Sequence, residues 1–246
     1  MSKGPKQVVV DITIAAPLDV VWAALRDPEQ IANWFGWDAP SLAEEIKFIF
    51  IYGAEADEAS GVVQFGEWEG SSDAIELTRE GDGTRLRLVR SGGAPIDWTG
   101  VYEDISQGWV NFFEQLRLAL ELHPEQKRRT VYLSGPALEG VGEPSAELHL
   151  GEAASLERGE AYAAQLPTGD SASGIVWYQT HFQTALTVEQ WGNGLLVVTD
   201  MGSSPKRPHG GGSVLLTSYG LSDDAFADLE QRWTAWWTAR YPKPAA

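Results

Sequence analysis

The chain has 246 residues, 43% of them hydrophobic, enough for one large domain or two small ones with buried cores. Its 18 Lys and Arg stand against 35 Asp and Glu, a formal net charge of -17, so a nucleic-acid backbone or an anionic membrane surface would be repelled and neither is expected as a partner. Cysteine is absent, which removes disulfides, thiolate metal sites and cysteine nucleophiles; the opening MSKGPKQVVV lacks a signal-peptide pattern, no run reaches the ~18 apolar residues of a membrane span, and a cytoplasmic location is expected.

Val8 to Ile14 alternates β-branched residues around Asp11 and Thr13 and predicts a strand. Pro17 suits the first turn of a helix whose Val20, Val21, Ala24 and Leu25 share one face. Asp27 and Pro28 break that helix and start a short one with Ile31, Trp34 and Phe35 inward. From Glu45 the period changes to two. Ile46, Phe48, Phe50 and Tyr52 are predicted on one side of a strand, Val63 and Phe65 on another, and Ile75 and Leu77 alternate with Glu76 and Thr78. Gly81, Asp82 and Gly83 turn the chain into Thr84 to Arg90, with Leu86 and Leu88 facing in while Arg85, Arg87 and Arg90 mostly face out. These strands make an antiparallel sheet wet on one side. A long helix over Asp97 to Leu122 follows, with Val101, Tyr102, Ile105, Trp109, Phe112, Phe113, Leu116 and Leu120 on a continuous stripe. Gly108 inside it costs about 1 kcal/mol against alanine, which points to close packing or a bend there. His123 and Pro124 end the helix, and residues 1–124 read as a domain.

The second half, 130–246, starts after the charged segment Glu125 to Arg129. Strands are predicted at Thr130 to Leu133, Ile175 to Thr187, Leu195 to Thr199 and Ser213 to Tyr219, with a turn at Gly192, Asn193 and Gly194. A helix from about Ser222 carries Phe226, Leu229, Trp233, Trp236 and Trp237 inward, with Asp223 and Asp224 at its positive end. Gly135 to Asp170 and Ser203 to Gly212 are expected to be irregular. This half reads as a degenerate copy of the first that kept the sheet and the long helix and lost the two short helices.

The order strand, two short helices, meander, long helix carries a resemblance. The strand before Ala16 and Pro17, the pair Val21 and Trp22, Asp27 and Pro28, Trp34 and Phe35, and a terminal helix with Gly108, Trp109 and Leu116 to Leu120 resemble the SRPBCC or START-like superfamily, in its branch of activators of heat-shock-protein ATPase homologues. The resemblance covers roughly the first half and is weak in the second. It implies an α+β helix-grip fold, a curved antiparallel sheet around a long C-terminal helix, as a tandem of one complete and one degenerate copy. In many relatives the space between sheet and helix holds an apolar ligand; in others the fold serves a chaperone contact or a cyclase or hydrolase reaction. A second half without its covering helices would leave apolar surface for the first domain or another subunit to bury.

The 11 tryptophans sharpen this expectation, since each ring buries a large area and offers one N–H. Trp34, Trp37, Phe48, Phe50 and Tyr52 are candidates to line a pocket in the first domain. Phe65, Trp68 and Trp98 from the sheet and its links, and Trp109, Phe112, Phe113 and Leu116 from the long helix, complete the candidate wall. The competing account is that these rings simply fill the core.

Chemistry-bearing constellations are sparse. His123, His149, His181 and His209 have no zinc-ligand spacing, and no metal or cofactor is called for. His181, at strand period, would share a face with Trp177, Gln179 and Gln183. Glu44 with Glu45, Asp57 with Glu58 and Asp223 with Asp224 are neighbours that do not make a catalytic pair, and no GxSxG elbow occurs, so no catalytic residue is assigned. Lys206, Arg207 and His209 beside three glycines could cradle an anion, although a hairpin loop between strands explains them as well. The functional expectation is a non-catalytic protein binding an apolar or aromatic small molecule between sheet and helix. Its rivals are a module contacting a protein partner, such as a chaperone ATPase, and a cyclase- or hydrolase-type enzyme.

Overall fold

In the computed structural model, which describes residues 6–68, 70–92, 101–205 and 207–243 and, for 101–105, the backbone, the chain opens on strand β1 (Lys6–Ile14). Pro17 precedes α1 (Leu18–Arg26), whose Val21, Ala24 and Leu25 are buried, and Asp27 caps α2 (Pro28–Ile31) by accepting the Glu29 N–H at 2.8 Å. Trp34 follows, fully buried and donating its indole N–H to the Ala24 carbonyl at 2.9 Å, which pins the second short helix to the first.

The segment predicted as the first meander strand is helical. α3 (Leu42–Ile46) runs without a break into a π-helix (Lys47–Tyr52). Ile46 and Phe50 are buried, whereas Phe48 and Tyr52 are 74% and 79% exposed. Residues four apart share a helical face as readily as residues two apart share a strand face, and the inward pair here obeys the helical period. Gly53 ends the wide turn: a Cβ there would lie 2.6 Å from the Phe48 carbonyl oxygen, so a larger residue would break the last turn. Arg26 donates to the Phe50 carbonyl at 2.5 Å and ties the π-helix to α1.

Strands β2 (Ala54–Asp57), β3 (Val62–Phe65), β4 (Ser71–Glu80) and β5 (Gly83–Gly92) then form an antiparallel sheet with β1, in the order β1-β5-β4-β3-β2. Helix α4 (Val101–Leu122) closes the first half, and Trp98 and the predicted helical start at Asp97 lie outside the described residues. Inward rows from the strands, including Ile14, Ile75, Leu86 and Leu88, meet Phe113 and Leu116 of α4 in one buried cluster. The outer face is wet and charged. Asp11 accepts two bonds from Arg85 at 2.7 Å, which hold its carboxyl below the usual range, and Lys6 reaches Glu76 at 3.2 Å. Arg90 corrects the expectation for this strand. It lies on the same side of β5 as the inward Leu88 and Leu86, two and four residues away, and is 5% exposed.

The chain divides into two compact units, Met1–Glu125 and Gln126–Ala246. The second repeats the topology of the first. β6 (Arg128–Pro136) is followed by two short helical pieces, α5 (Pro144–Glu147) and a 3-10 turn at Ala153–Ser155. Strands β7 (Ala161–Gln165), β8 (Ser171–Gln179), β9 (Gln183–Val188), β10 (Gly194–Met201) and β11 (Gly211–Tyr219) lead to α6 (Asp223–Thr238). The sheet order is β6-β11-β10-β9-β8-β7, so in both units the first strand pairs with the last and the others form a meander. The copy therefore keeps helical pieces where none were expected, shortened to four and three residues, and part of the segment predicted as irregular is β7. Ser222 caps α6 through the Ala225 N–H at 3.2 Å, and Phe226, Leu229, Trp233, Trp236 and Trp237 are buried as the spacing predicts.

Candidate ligand-binding site in the first unit

The inner face of the first sheet and the facing stripe of α4 bring together most of the candidate residues. Phe35 lies 4.9 Å from Phe50 and 4.8 Å from Phe112, measured between ring centroids. Phe50 lies 5.6 Å from Phe65, and Phe65 lies 5.5 Å from Trp109. Trp109 stacks on Phe113 at 5.2 Å, and Phe113 on Trp34 at 5.7 Å. Offset and edge contacts at these spacings add ~0.5–1.5 kcal/mol per pair to the area that each ring buries. Leu116, fully buried one turn below Phe113 on α4, closes the deep end.

Burial divides the cluster. Trp34, Phe50 and Phe113 are at most 1% exposed, and Phe65 is 9% exposed, as core side chains. Trp109 and Phe112 lie on the same inner stripe and touch the same rings, yet both are only half-buried. Helical spacing puts these two rings on adjacent positions of one stripe, so the partly exposed portion of the aromatic cluster lies at their level.

A polar group adjoins the open end. Arg90 on β5 forms a two-bond pair with Asp73 on β4, 2.7 Å for each contact, and its Nη1 lies 3.5 Å from the Ser106 hydroxyl, one helical turn before Trp109. The guanidinium and carboxylate side chains are 6% and 15% exposed. The strands place them there because Asp73 and Arg90 are register partners on the row that continues through the pair Ile75 and Leu88. A largely desolvated two-bond ion pair is costly to break on one side only, and it places charged hydrogen-bonding groups at the edge of an otherwise apolar wall. These three residues do not stand out in the sequence: Asp73 and Arg90 are residue types usual at the surface, and Ser106 is a small polar residue beside the α4 stripe. Strand parity, which groups Arg90 with Leu86 and Leu88, was the signal that could have found them.

The remaining candidates stand elsewhere. Phe48 and Tyr52 point to solvent from the π-helix, Trp68 is 62% exposed at the bridge between β3 and β4, Trp37 is half-buried after α2, and Trp98 lies outside the described residues. His181 sits in the tight turn between β8 and β9, edge-on to Phe182 at 4.6 Å, while Gln183 and Trp177 are buried and Gln179 is exposed, so the four do not share one face. The Ser203 to Gly212 loop connects β10 to β11, with Lys206 outside the described residues. On the β7–β8 hairpin a shallow cleft of about 240 Å³ is lined by Ala163, Ala164, Ala172 and neighbouring Ser and Gln side chains. Its Gln190 is bonded to Ser173 through both ends of the amide, which leaves the cleft little to offer a ligand. Among the described residues no group of His, Asp and Glu is placed to hold a metal ion, and no helix is long and apolar enough to cross a membrane.

No family model and no curated protein matches the chain. Among solved structures, a protein from Mesorhizobium loti is 23% identical over 48% of this chain and 97% of its own, with a TM-score of 0.34. The di-domain ARO/CYC StfQ of the steffimycin biosynthetic pathway is 10% identical, covering 94% of this chain and 91% of its own at a TM-score of 0.36. The Aha1 dimer from Colwellia psychrerythraea is 15% identical over 50% of this chain and 98% of its own, at 0.34. By its own strand order and helices the chain is a tandem of two helix-grip domains, the architecture of the START-like proteins that its opening sequence resembles.

Proposed function

We propose that the first unit binds an aromatic small molecule carrying an oxygen function, held between the sheet and α4 without chemical change. The observation that supports this is the half-buried state of Trp109 and Phe112 within a ring cluster that is otherwise closed, beside the buried Asp73 and Arg90 pair. A planar ligand laid against Trp109 would extend the existing stack, and stacking on an indole is favoured by shape and dispersion whatever the substituents. Its oxygen would lie toward Arg90 and Ser106, where a guanidinium donor gives orientation that an apolar wall cannot. Pairing with Asp73 pre-positions the guanidinium, so little order remains to be lost on binding.

Titration of intrinsic tryptophan fluorescence with flavonoids, polyketide-like polyphenols and fatty acids tests the reading. Saturable quenching by the aromatic compounds is expected, greater than with fatty acids and strongly reduced in Trp109→Phe. Absence of saturable quenching with every compound contradicts it.

A further inference from the structure

Among the described residues no strand pairs with the outer edge of the first sheet at β2, and this edge offers a second surface. β2 is the terminal strand in the order β1-β5-β4-β3-β2, and three of its four residues are exposed. Gly66 donates to the Gly53 carbonyl at 2.9 Å, which makes Gly53 and Gly66 a hydrogen-bonded pair in the register that continues through Ala54 and Phe65. Antiparallel alternation then directs the N–H and C=O groups of Glu55 and Asp57 toward β3 and those of Ala54 and Ala56 outward, to the free edge. The pleat sorts the side chains as well. Ala54 and Ala56 share the side of the buried Phe65 and Val63, whereas Glu55 and Asp57 share the opposite side.

Just before this edge the end of α3 and the π-helix send Ile46 and Phe50 into the core and leave Phe48 and Tyr52 outside, two aromatic side chains more than 70% exposed and four residues apart. This edge therefore combines outward backbone groups, carboxylates on one side of β2 and, in the segment just before it, an exposed aromatic pair. We propose that it docks an extended segment of a partner protein by adding a strand to β2, and that the segment alternates apolar and basic residues. The apolar row would cover Tyr52 and Phe48; the Lys or Arg row would meet Glu55, Asp57 and the neighbouring Glu58.

Charge selects this occupant over a second copy. Pairing β2 with its own counterpart would set Glu55 and Asp57 against the same carboxylates in a molecule of net charge -17. Like charges across a strand pair are destabilising, and acidic residues on a short edge are a device against self-pairing that a basic strand turns into attraction.

Fluorescence anisotropy with a labelled peptide of alternating Lys and Val tests the proposal. Its controls are an alternating Glu and Val peptide and a peptide with the same Lys and Val in two blocks. The alternating basic peptide is expected to bind at least ten-fold more tightly than either control at 20 mM NaCl and to weaken steeply at 300 mM. Ala56→Pro removes one outward N–H without touching the β3 ladder and should abolish binding. Phe48→Ser/Tyr52→Ser, both exposed and checked for an unchanged circular dichroism spectrum, should weaken it about five-fold or more, and Glu55→Gln/Asp57→Asn should flatten the salt dependence. Equal binding of the three peptides, or parent-like binding by both Ala56→Pro and Phe48→Ser/Tyr52→Ser, overturns the proposal. So does a dimer of the parent in sedimentation that Ala56→Pro converts to monomer, since the second copy would then be the occupant.

Discussion

Removing Asp73 while keeping Arg90 tests whether the polar end of the site is a desolvated pair. The Arg90 side chain is 6% exposed and donates two bonds of 2.7 Å to the Asp73 carboxylate. Asp73→Ala would remove from a buried guanidinium the carboxylate that accepts two of its bonds. Breaking one side of a buried pair costs about 3–5 kcal/mol, whereas replacing both members by apolar residues of similar volume is near neutral. Asp73→Ala is therefore expected to cost about 3 kcal/mol, at the lower end because Asp73 is 15% exposed, and Asp73→Leu/Arg90→Met about 1 kcal/mol or less. Urea denaturation gives the totals, and amide exchange of β4 and β5 in the native state localises the loss to the first unit. If Asp73→Ala costs under 1 kcal/mol, or if the double replacement costs as much as the single one, the pair is solvated and cannot serve as an oriented donor in an apolar wall.

Three further outcomes follow from the same coordinates. Gly108→Ala in α4 should stabilise by about 0.5–1 kcal/mol, because among the described residues an added Cβ meets only the Phe112 ring at 3.8 Å; a destabilised variant in thermal unfolding would mean that the glycine is required. Asp170→Ala should cost about 2–4 kcal/mol, since this buried carboxylate accepts from Thr168 at 2.7 Å, Arg232 at 2.8 Å and the Trp233 indole at 3.0 Å and anchors α6; a cost near zero by urea denaturation would contradict the anchor. Burial pushes the Tyr219 phenol up to about 12 from 10, so between those values the unfolded chain loses a proton that the folded one keeps, and stability falls as pH rises through that window by about 2–3 kcal/mol; ultraviolet titration should show this phenolate late, and its ionisation near pH 10 would refute the shift.

Much of this architecture was readable from spacing. The two short helices announced themselves through Pro17 and the Asp27–Pro28 pair, and α6 through Ser222 and a tryptophan stripe at helical intervals, because caps and 3.6-residue periodicity report local physics directly. Residues 46–52 misled because Ile, Phe and Tyr at alternate positions fit a strand, while Ile46 and Phe50 also fit a helix. The deciding signals lay just upstream, in Ser41 and the helix-forming Leu42, Ala43, Glu44 and Glu45, and downstream in Gly53. Pro144, at the first turn of α5, was a similar sign of a helix within a stretch that otherwise read as loop. The clustering of Trp109, Phe112 and Phe113 follows from the α4 stripe that their spacing marks in the sequence. The charged half of the candidate site was legible only as strand parity, which puts Asp73 with Ile75 and Arg90 with Leu88; that the two face each other comes from the register between β4 and β5, a tertiary property.

The most direct test of the account is a nuclear magnetic resonance titration of the full chain with a flavonoid, following the indole N–H signals and the Arg90 side chain. Saturable shifts confined to Trp109, its ring neighbours and the Arg90 Nε–H are the predicted result. Shifts centred on the indoles of Trp233, Trp236 and Trp237, or a spectrum unchanged at saturating flavonoid, would contradict it.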